Sequence, residues 1–260
     1  MNANTFDRYL ARASAVHRLD PRVKVVAAVA FIVAAALLPA GAWGVYAAAA
    51  LLLLAVTVAA RLSPWLVVRR SLVGLPFLLA AVTLLFTVPG RVVWAGPFGL
   101  EMTDAGLARF LGIVARSLLS LGAAVLLTAT TRVPDILHAL RHLKVPAVLV
   151  SIIAFMYRYL FVLVEEVQRL LRARAARSGR LPGAKGGGSV GWRASVAGHM
   201  AGQLLVRSLD RSDRVYQAML ARGYRGELLT LAPHAMRPPD WLALAVSLAA
   251  VAGLIIIPRI

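Results

Sequence analysis

Residues 23–60 read VKVVAAVAFIVAAALLPAGAWGVYAAAALLLLAVTVAA, and this stretch decides the fold class. Lys24, near its start, is the only charged residue in it. The apolar run Val23–Ala42 ends in a segment typical of a tight turn, Pro39–Gly44, and apolar residues resume over Val45–Ala60. A helix needs about 20 mainly apolar residues to cross the hydrocarbon core of a bilayer. The pattern therefore predicts two membrane-spanning helices that are joined by a short turn.

The composition of the whole chain also indicates a membrane protein. Of the 260 residues, 60% are hydrophobic and 15% are charged, whereas soluble domains contain roughly 25% charged residues. This excludes intrinsic disorder, which requires few apolar residues, and argues against an ordinary soluble enzyme. The formal charge of +18 is not spread through the chain, so the basic pI does not indicate a nucleic-acid-binding protein. The absence of cysteine excludes disulfides, thiolate metal sites and a cysteine nucleophile.

Three further apolar runs predict spanning helices at Leu72–Val88, Leu107–Thr130 and Trp241–Pro258. Another run, Val145–Val164, has basic segments on both sides, and short basic loops remain cytoplasmic. If this run crossed the membrane, one of those segments would lie outside. We therefore expect it to enter the membrane only partly or to pack under the other helices; a six-span chain is the alternative. The predicted fold class is an all-α integral membrane protein with about five transmembrane helices and long cytoplasmic amphipathic helices.

The distribution of positive charge predicts the orientation of the chain. The N-terminus is expected in the cytoplasm and the C-terminus outside, with the uncharged turn Pro39–Gly44 and the loop Pro89–Gly106 also outside. Three parts follow: residues 1–131 with four transmembrane helices, residues 132–240 in the cytoplasm, and residues 241–260 with the last transmembrane helix. The basic residues that mark the cytoplasmic segments are Arg8, Arg12, Arg18, Arg22, Lys24, Arg61, Arg69, Arg70, Arg132, Arg141 and Lys144.

The cytoplasmic part is predicted to contain two amphipathic helices. One runs from Glu165 to Gly179 and the other from Trp192 to Arg222, because both carry apolar residues at helical spacing. The glycine-rich segment Leu181–Ser189 is a flexible break between them. Gly223 is expected to cap the second helix at its C-terminus.

No motif in the chain predicts catalysis or metal binding. The segment around Lys185 lacks the spacing of a phosphate-binding loop, so the chain itself is not expected to hydrolyse ATP. His138 and His142 share a helix face, but no third ligand is near in sequence, and solvated or interfacial histidines are the better interpretation. No acidic residue lies in the middle of a predicted span. Asp210 and Asp213 alternate with arginines, which is typical of a salt-bridged helix surface.

Arg116 stands out because it lies inside an apolar span, about 13 Å from its start at a rise of about 1.5 Å per residue. Placing an arginine this deep costs at least about 2.5 kcal/mol, and such a side chain normally faces protein or water. Snorkelling to the interface is the simpler alternative. We predict that Arg116 faces the helix bundle or forms an intramembrane contact with a partner subunit.

Two short cytoplasmic patterns place an arginine between small residues near a helix end. They are Ala176, Arg177 and Ser178 in the first amphipathic helix, and Ala221, Arg222 and Gly223 in the second. Small neighbours allow another backbone to approach, and a guanidinium can make a forked contact with a carboxylate or with carbonyl oxygens. A single pattern of this kind would indicate only a solvated arginine. Two copies at the ends of two helices predict paired docking sites for two similar partners.

In their order, these features resemble the transmembrane T component of energy-coupling factor transporters, in particular the cobalt-type CbiQ branch of the EcfT proteins. The resemblance covers most of the chain, and Ser178 in place of glycine is a mild departure from the family pattern. The matching segments are Ser14–Lys24, Thr130–Thr131, Lys144–Pro146, Tyr157–Tyr159, Ala176–Ser178 and Gln217–Tyr224.

The resemblance implies a non-catalytic subunit of an ATP-driven importer in the bacterial cytoplasmic membrane. Its partners would be two ABC-type ATPases similar to CbiO, a substrate-binding membrane subunit similar to CbiM, and a small subunit similar to CbiN. Arg177 and Arg222 would sit in grooves of the two ATPases, which would bind ATP and Mg, so this chain would need no cofactor. Cobalt is the implied substrate, with nickel or a vitamin as alternatives. A lipid-modifying membrane enzyme or a basic scaffold protein is the alternative from a different class.

Overall fold

The computed structural model describes residues 9–95, 101–177, 189–226 and 236–256. Nearly all of the regular structure in these ranges is helical, so the predicted all-α class is confirmed. Two short antiparallel strands, β1 (Val92–Ala95) and β2 (Glu101–Thr103), lie in the loop expected outside, with Val92 opposite Thr103. The helices are α1 (Ala15–Arg18), α2 (Pro21–Leu37), α3 (Trp43–Ala59), α4 (Pro64–Ser71), α5 (Leu75–Ala81), α6 (Leu84–Thr87), α7 (Asp104–Thr130), α8 (Val133–His142), α9 (Ala147–Arg177), α10 (Val190–Ala221) and α11 (Pro238–Ile256).

By length and composition, three of the described helices are suited to cross a membrane: α7, α9 and α11. The first predicted hairpin is present as α2 and α3, with 17 residues each. At about 1.5 Å per residue each of these helices rises about 25 Å, slightly less than the hydrocarbon thickness of about 30 Å.

The run Leu72–Val88, which the sequence predicted as one span, is broken in the structure. A 3₁₀ turn at Leu72–Gly74 follows α4, and the chain bends by 63° between Pro64–Gly74 and Leu79–Thr87. The break has a local cause, since Pro76 lacks an N–H donor and clashes with the preceding helical turn. Taken together as one bent span, these helices would be a fourth membrane crossing.

Helix α9 joins two segments that the sequence predicted separately, the run Val145–Val164 and the amphipathic helix Glu165–Gly179. Residues 147–177 form one continuous helix, so the predicted start of a separate helix at Glu165 is wrong. The helix is long and apolar enough to span a membrane, and how far Val145–Val164 enters it stays a prediction. Its sequence contains neither glycine nor proline, so no residue interrupts the ladder of backbone hydrogen bonds. Ser151, Tyr157 and Arg158, the polar residues within the run, are accommodated in the helix.

The chain divides into two compact units. The bundle unit comprises Asp7–Leu143 and Pro233–Ile260, and the two-helix unit comprises Lys144–Ala232 together with Met1–Phe6. In the bundle unit, α2 packs against α7, α8 and α11. Its core combines alanines with larger side chains, which lets the helices approach closely. One buried cluster of this core comprises Phe31, Ala34, Ala35, Leu38, Val45, Tyr46, Ala49, Leu119, Ala123, Val251 and Leu254.

In the two-helix unit, α9 and α10 run antiparallel. Near the middle of the pair, Glu166 of α9 contacts Arg207 of α10. Towards the start of α9, Phe155 contacts Tyr224, which follows the end of α10. Residue numbers therefore rise along one helix as they fall along the other. The two helices begin and end close to the predicted boundaries of the amphipathic segment, except that α9 extends further towards the N-terminus.

Candidate functional site

Both predicted coupling arginines lie on the surface at helix C-termini. Arg177 is the last residue of α9, and Arg222 follows the last residue of α10 as its C-cap. The two arginines and the alanines before them, Ala176 and Ala221, are exposed. A basic side chain is favourable at a helix C-terminus, where it complements the partial negative charge of unpaired carbonyl groups. Ser178, the third residue of the first pattern, lies outside the described residues.

Gly223 ends α10 as the sequence predicted. Its φ of +80° lies in the left-handed region, which glycine adopts without a steric penalty. The N–H of Gly223 donates to the carbonyl of Leu220 at 2.9 Å, and the N–H of Tyr224 donates to that of Met219 at 3.0 Å. These two bonds form a Schellman motif. The motif stops the helix directly after Arg222 and so holds this arginine at an exposed corner of the chain.

The antiparallel pairing places the two arginines at opposite ends of the helix pair. Arg177 lies 11 residues beyond Glu166 on α9, about 16 Å along the axis. Arg222 lies 11 residues beyond Arg211 on α10, again about 16 Å, and in the opposite direction. Each arginine can therefore reach a separate partner.

The ion pairs in the middle of this pair differ from the predicted pattern. The sequence predicted a salt-bridged surface on α10, where Asp210 and Asp213 alternate with arginines that include Arg207 and Arg211. Instead both contact Glu166 of α9, at 2.9 Å and 3.8 Å, and Arg169 contacts the same carboxylate at 2.7 Å. Helix α10 packs antiparallel to α9 and so brings Arg207 and Arg211 against Glu166. The spacing of charges within α10 carries no information about which residues of α9 lie opposite. The alternation of charges indicated ion pairs on this surface, and the carboxylate that Arg207 and Arg211 contact belongs to the neighbouring helix α9.

The described surface of the two-helix unit is rich in exposed apolar side chains. Every described residue of α10 is at least partly exposed, although apolar residues recur along the helix. Many large apolar side chains exposed on one pair of helices are typical of a surface that contacts protein or membrane. The large exposed side chains are Val148, Leu149, Ile152, Ile153, Met156, Val167 and Leu171 in α9, and Val190, Trp192, Leu205, Val206, Leu209, Tyr216 and Leu220 in α10.

In the bundle unit, the structure joins two of the segments that carry the family resemblance. The ammonium group of Lys24 donates to the carbonyl oxygen of His17 and to that of Thr130, both at 3.2 Å. The backbone N–H of Leu10 donates to the carbonyl of Ala129 at 3.0 Å. These bonds fasten the segment before α2 to the C-terminal end of α7. Sequence reasoning noted both segments but did not predict that they meet, because their contact joins residues 106 positions apart.

A second polar connection links the N-terminal ends of α2 and α11. One carboxylate oxygen of Asp240 accepts from the backbone N–H of Asp20 at 3.0 Å, and the other accepts from the N–H of Arg237 at 2.9 Å. Asp20 in turn caps α2 by accepting from the N–H of Arg22 at 2.8 Å. Both aspartates are buried. The sequence offered one usable signal for this pair, since each aspartate adjoins a proline at the start of a helix.

Arg116 lies near the middle of α7 and is half-buried. Its Nε donates to the carbonyl of Gly112 at 3.2 Å, so the side chain lies back over the preceding turn. Arg116 packs beside Gly112 and Tyr46: a Cβ at Gly112 would stand 3.4 Å from Nη2 of Arg116 and 3.5 Å from the hydroxyl of Tyr46, both at ordinary van der Waals distance. That hydroxyl donates to the carbonyl of Pro39. Arg116 therefore faces protein on one side, at the C-terminal end of α2.

No group of three or more potential metal ligands occurs in the part of the chain that the structure describes. The rings of His138 and His142 are 4.6 Å apart, and Nδ1 of His142 is 3.1 Å from the carbonyl oxygen of His138. This contact lies within one helix turn, and the interpretation of the pair as solvated or interfacial histidines stays a prediction.

Comparison with known proteins identifies the family. The family model CbiQ, described as cobalt transport protein, matches residues 12–231. The chain belongs to the CbiQ family. The region that matches the CbiQ model contains Arg116, both predicted coupling arginines and all of α9 and α10.

Relatives of this CbiQ-family chain carry two kinds of name. The cobalt transport protein CbiQ of Rhodobacter capsulatus is 31% identical over 159 residues, which are 61% of this chain and 62% of that protein, so the chain spans less than two thirds of it. The energy-coupling factor transporter transmembrane protein EcfT of Thermosediminibacter oceani is 30% identical over 237 residues, 87% of this chain and 86% of the relative. EcfT of Listeria innocua is 28% identical over 84% of both chains.

Proposed function

We propose that this chain joins two cytoplasmic ATPases to a substrate-binding membrane subunit and that the assembled importer takes up cobalt. The family and the EcfT relatives make the chain a transmembrane component of an energy-coupling factor transporter. Members of this family are membrane components of transporters. Our proposal adds the identity of the partners, the residues that contact them and the substrate.

The observation that carries the proposal is the position of Arg177 and Arg222. Two exposed arginines end two antiparallel helices. Arg177 lies about 16 Å beyond Glu166 along α9, and Arg222 lies about 16 Å beyond Arg211, which contacts Glu166, along α10. A planar guanidinium on a surface of small residues suits a forked contact with a carboxylate or carbonyl groups in a groove of a second protein. Two such sites facing away from each other suit two similar partners.

The helices themselves support a mechanical role. α9 and α10 contain 31 and 32 residues, so each is a rod of about 47 Å at 1.5 Å per residue. A push on Arg177 or Arg222 would move the whole rod, and the exposed apolar side chains would transfer that movement to the partner that covers them. The ATPases would bind ATP and Mg, and this chain would supply neither a nucleotide site nor a metal site.

The proposed substrate rests on names of relatives rather than on a site in this chain. The family model and the Rhodobacter protein are both named for cobalt transport, whereas the EcfT proteins carry no substrate in their names. Cobalt is therefore our proposal, with nickel or a vitamin as alternatives. We place the complex in the bacterial cytoplasmic membrane with the N-terminus of this chain in the cytoplasm, as the basic residues before α2 favour.

The test is co-purification of the full chain with the ATPases and the membrane subunit expressed alongside it. We expect the double variant Arg177→Glu and Arg222→Glu to recover at least about tenfold less ATPase than the wild type, because a reversed charge repels the carboxylate that each arginine contacts. Recovery of the membrane subunit should change much less.

Arg172→Glu together with Arg214→Glu provides the matched control. These arginines are exposed on the same two helices, and the control makes the same change in net charge away from the helix ends. ATPase recovery should stay close to wild type in this control. Equal losses in both double variants would show that only total charge matters, and a wild-type chain that recovers no ATPase would refute the coupling role and reopen the enzyme alternative.

A further inference from the structure

The coupling role does not account for Arg116. This residue lies 12 positions after Asp104 and 14 before Thr130, so it is close to the centre of the 27-residue helix α7, about 18 Å from one end and about 21 Å from the other. Helix α7 is one of the described helices that are suited to cross the membrane. Ionisable side chains at such depths are rare and normally have a functional partner.

The guanidinium group is only partly satisfied within the chain. Among the described residues, its one hydrogen bond is the contact of Nε with the Gly112 carbonyl, which leaves the terminal Nη groups without a carboxylate. Ala36, in the last turn of α2, and Arg116 line one hollow, and the partial negative charge of that helix end favours a cation there. A helix end is not a carboxylate, so the guanidinium still lacks a paired negative charge among the described residues.

Arg116 opens onto a hollow of about 550 Å³ on one side of the bundle unit. Small or hydroxyl-bearing residues line much of it, namely Ala36, Gly74, Ser117 and Ser120. Ser117 and Ser120 follow Arg116 on the same face of α7, so the hollow has a polar strip in an otherwise apolar span. Small residues and hydroxyl groups are the features that allow a second transmembrane helix to pack closely.

The described spanning helices of the bundle unit do not supply a carboxylate that could pair with Arg116. Their described acidic residues are at the ends: Asp20 caps α2, Asp104 begins α7, and Asp240 lies in the first turn of α11. A second copy of this chain would therefore present no carboxylate from these helices at the depth of Arg116. A helix from a different membrane protein could supply one.

We propose that Arg116 binds a carboxylate on a transmembrane helix of the substrate-binding membrane subunit, and that this helix packs in the hollow along α7. The inference rests on the proposed function, since it takes that subunit as the partner. It assigns the two kinds of partner to different residues. Arg177 and Arg222 hold the ATPases, whereas Arg116 selects a membrane helix that carries an aspartate or glutamate near its centre.

The experiment uses the whole complex, with this chain tagged and both kinds of partner quantified after purification in mild detergent. We expect Arg116→Gln to lower recovery of the membrane subunit by at least about tenfold, because it leaves the partner's buried carboxylate unpaired. Arg116→Lys keeps the charge and should retain most of that recovery. Arg109→Gln, which removes an exposed arginine from the same helix, is the matched control and should behave as wild type. ATPase recovery, together with a monodisperse elution profile of the tagged chain, reports that each variant is folded.

Each outcome decides the proposal. Wild-type recovery of the membrane subunit by Arg116→Gln would overturn it and identify Arg116 as a side chain that reaches the lipid interface. Equal losses for the glutamine and lysine variants would also overturn it, because charge would then not be what the partner recognises. If wild type recovers the membrane subunit but no ATPase, the coupling proposal fails while the comparison of Arg116 variants still stands.

Discussion

At the scale of single residues, polar side chains fix the ends of the bundle helices. His17 illustrates this, because both of its ring nitrogens are engaged. Nε2 is 3.0 Å from the carbonyl oxygen of Leu10, which can only accept, so this nitrogen carries the proton. Nδ1 then accepts from the hydroxyl of Ser14 at 2.7 Å. Burial lowers the pKa of His17 from its ordinary value of 6.5, the Leu10 contact raises it, and Lys24 lowers it further.

Acid should therefore destabilise the segment before α2. Since the folded chain binds a proton on His17 less readily than the unfolded chain, this residue's contribution to stability is complete above pH 6.5 and is lost as the pH falls below that value. We expect the midpoint of thermal unfolding in detergent to fall less between about pH 8 and about pH 5.5 in His17→Asn than in wild type. His199→Asn, at an exposed histidine of α10, is the control. Identical pH profiles for wild type and His17→Asn would contradict this assignment.

At the scale of secondary-structure elements, a single carboxylate connects the two long helices. Glu166 of α9 contacts Arg207 and Arg211 of α10 as well as Arg169 of its own helix. The Glu166 side chain is only 12% exposed, whereas those of Arg169 and Arg207 are more than half exposed. Exposed pairs of this type contribute little to stability individually, but three arginines around one carboxylate define where the helices meet. Glu166 is therefore placed to fix the register between α9 and α10.

Loss of this charge should loosen the pair without unfolding either helix. The chain contains no cysteine, so spin labels can be attached to Ala173→Cys and Ala201→Cys without removing a native thiol. We expect Glu166→Gln to broaden the distance distribution between these labels, measured by pulsed electron paramagnetic resonance. The exchange Glu166→Arg with Arg207→Glu should restore much of the wild-type width. A distribution in Glu166→Gln as narrow as in wild type would show that apolar contacts alone set the register.

At the scale of the whole molecule, the bundle unit is closed by contacts between distant parts of the chain. Asp20 and Asp240 are 220 positions apart, yet they join the N-terminal ends of α2 and α11. Lys24 joins the same end of α2 to the C-terminal end of α7. Helix α11, which follows the two-helix unit in the chain, is thereby fixed to helix α2 of the bundle unit. These contacts hold α7 and α11 at the same end of α2 within the bundle unit.

Asp240→Ala should destabilise the bundle unit because it removes the acceptor for two backbone N–H groups, one of them buried with Asp20. A buried donor left without a partner costs about 1–3 kcal/mol, which corresponds to a fall of about 2–12 °C in Tm for a domain of this size. Asp240→Asn, which retains one carbonyl oxygen, should lose less. Asp213→Ala, at an exposed position of α10, should leave Tm within about 1 °C of wild type. A Tm for Asp240→Ala equal to that control would refute this structural role.

The sequence by itself determined the features that depend on neighbouring residues. Apolar runs gave the membrane class and most helix positions, because burial in lipid depends on composition over about 20 residues. Gly223 gave the end of α10, since its backbone conformation is a local property. The paired arginine patterns predict two coupling sites, and that role stays a prediction. Only the tertiary structure decided that Lys24 binds Thr130, that Asp240 binds Asp20 and that Glu166 attracts the arginines of α10. Each of these contacts joins residues far apart in the chain, and their partners depend on how helices pack, which spacing along the sequence does not encode.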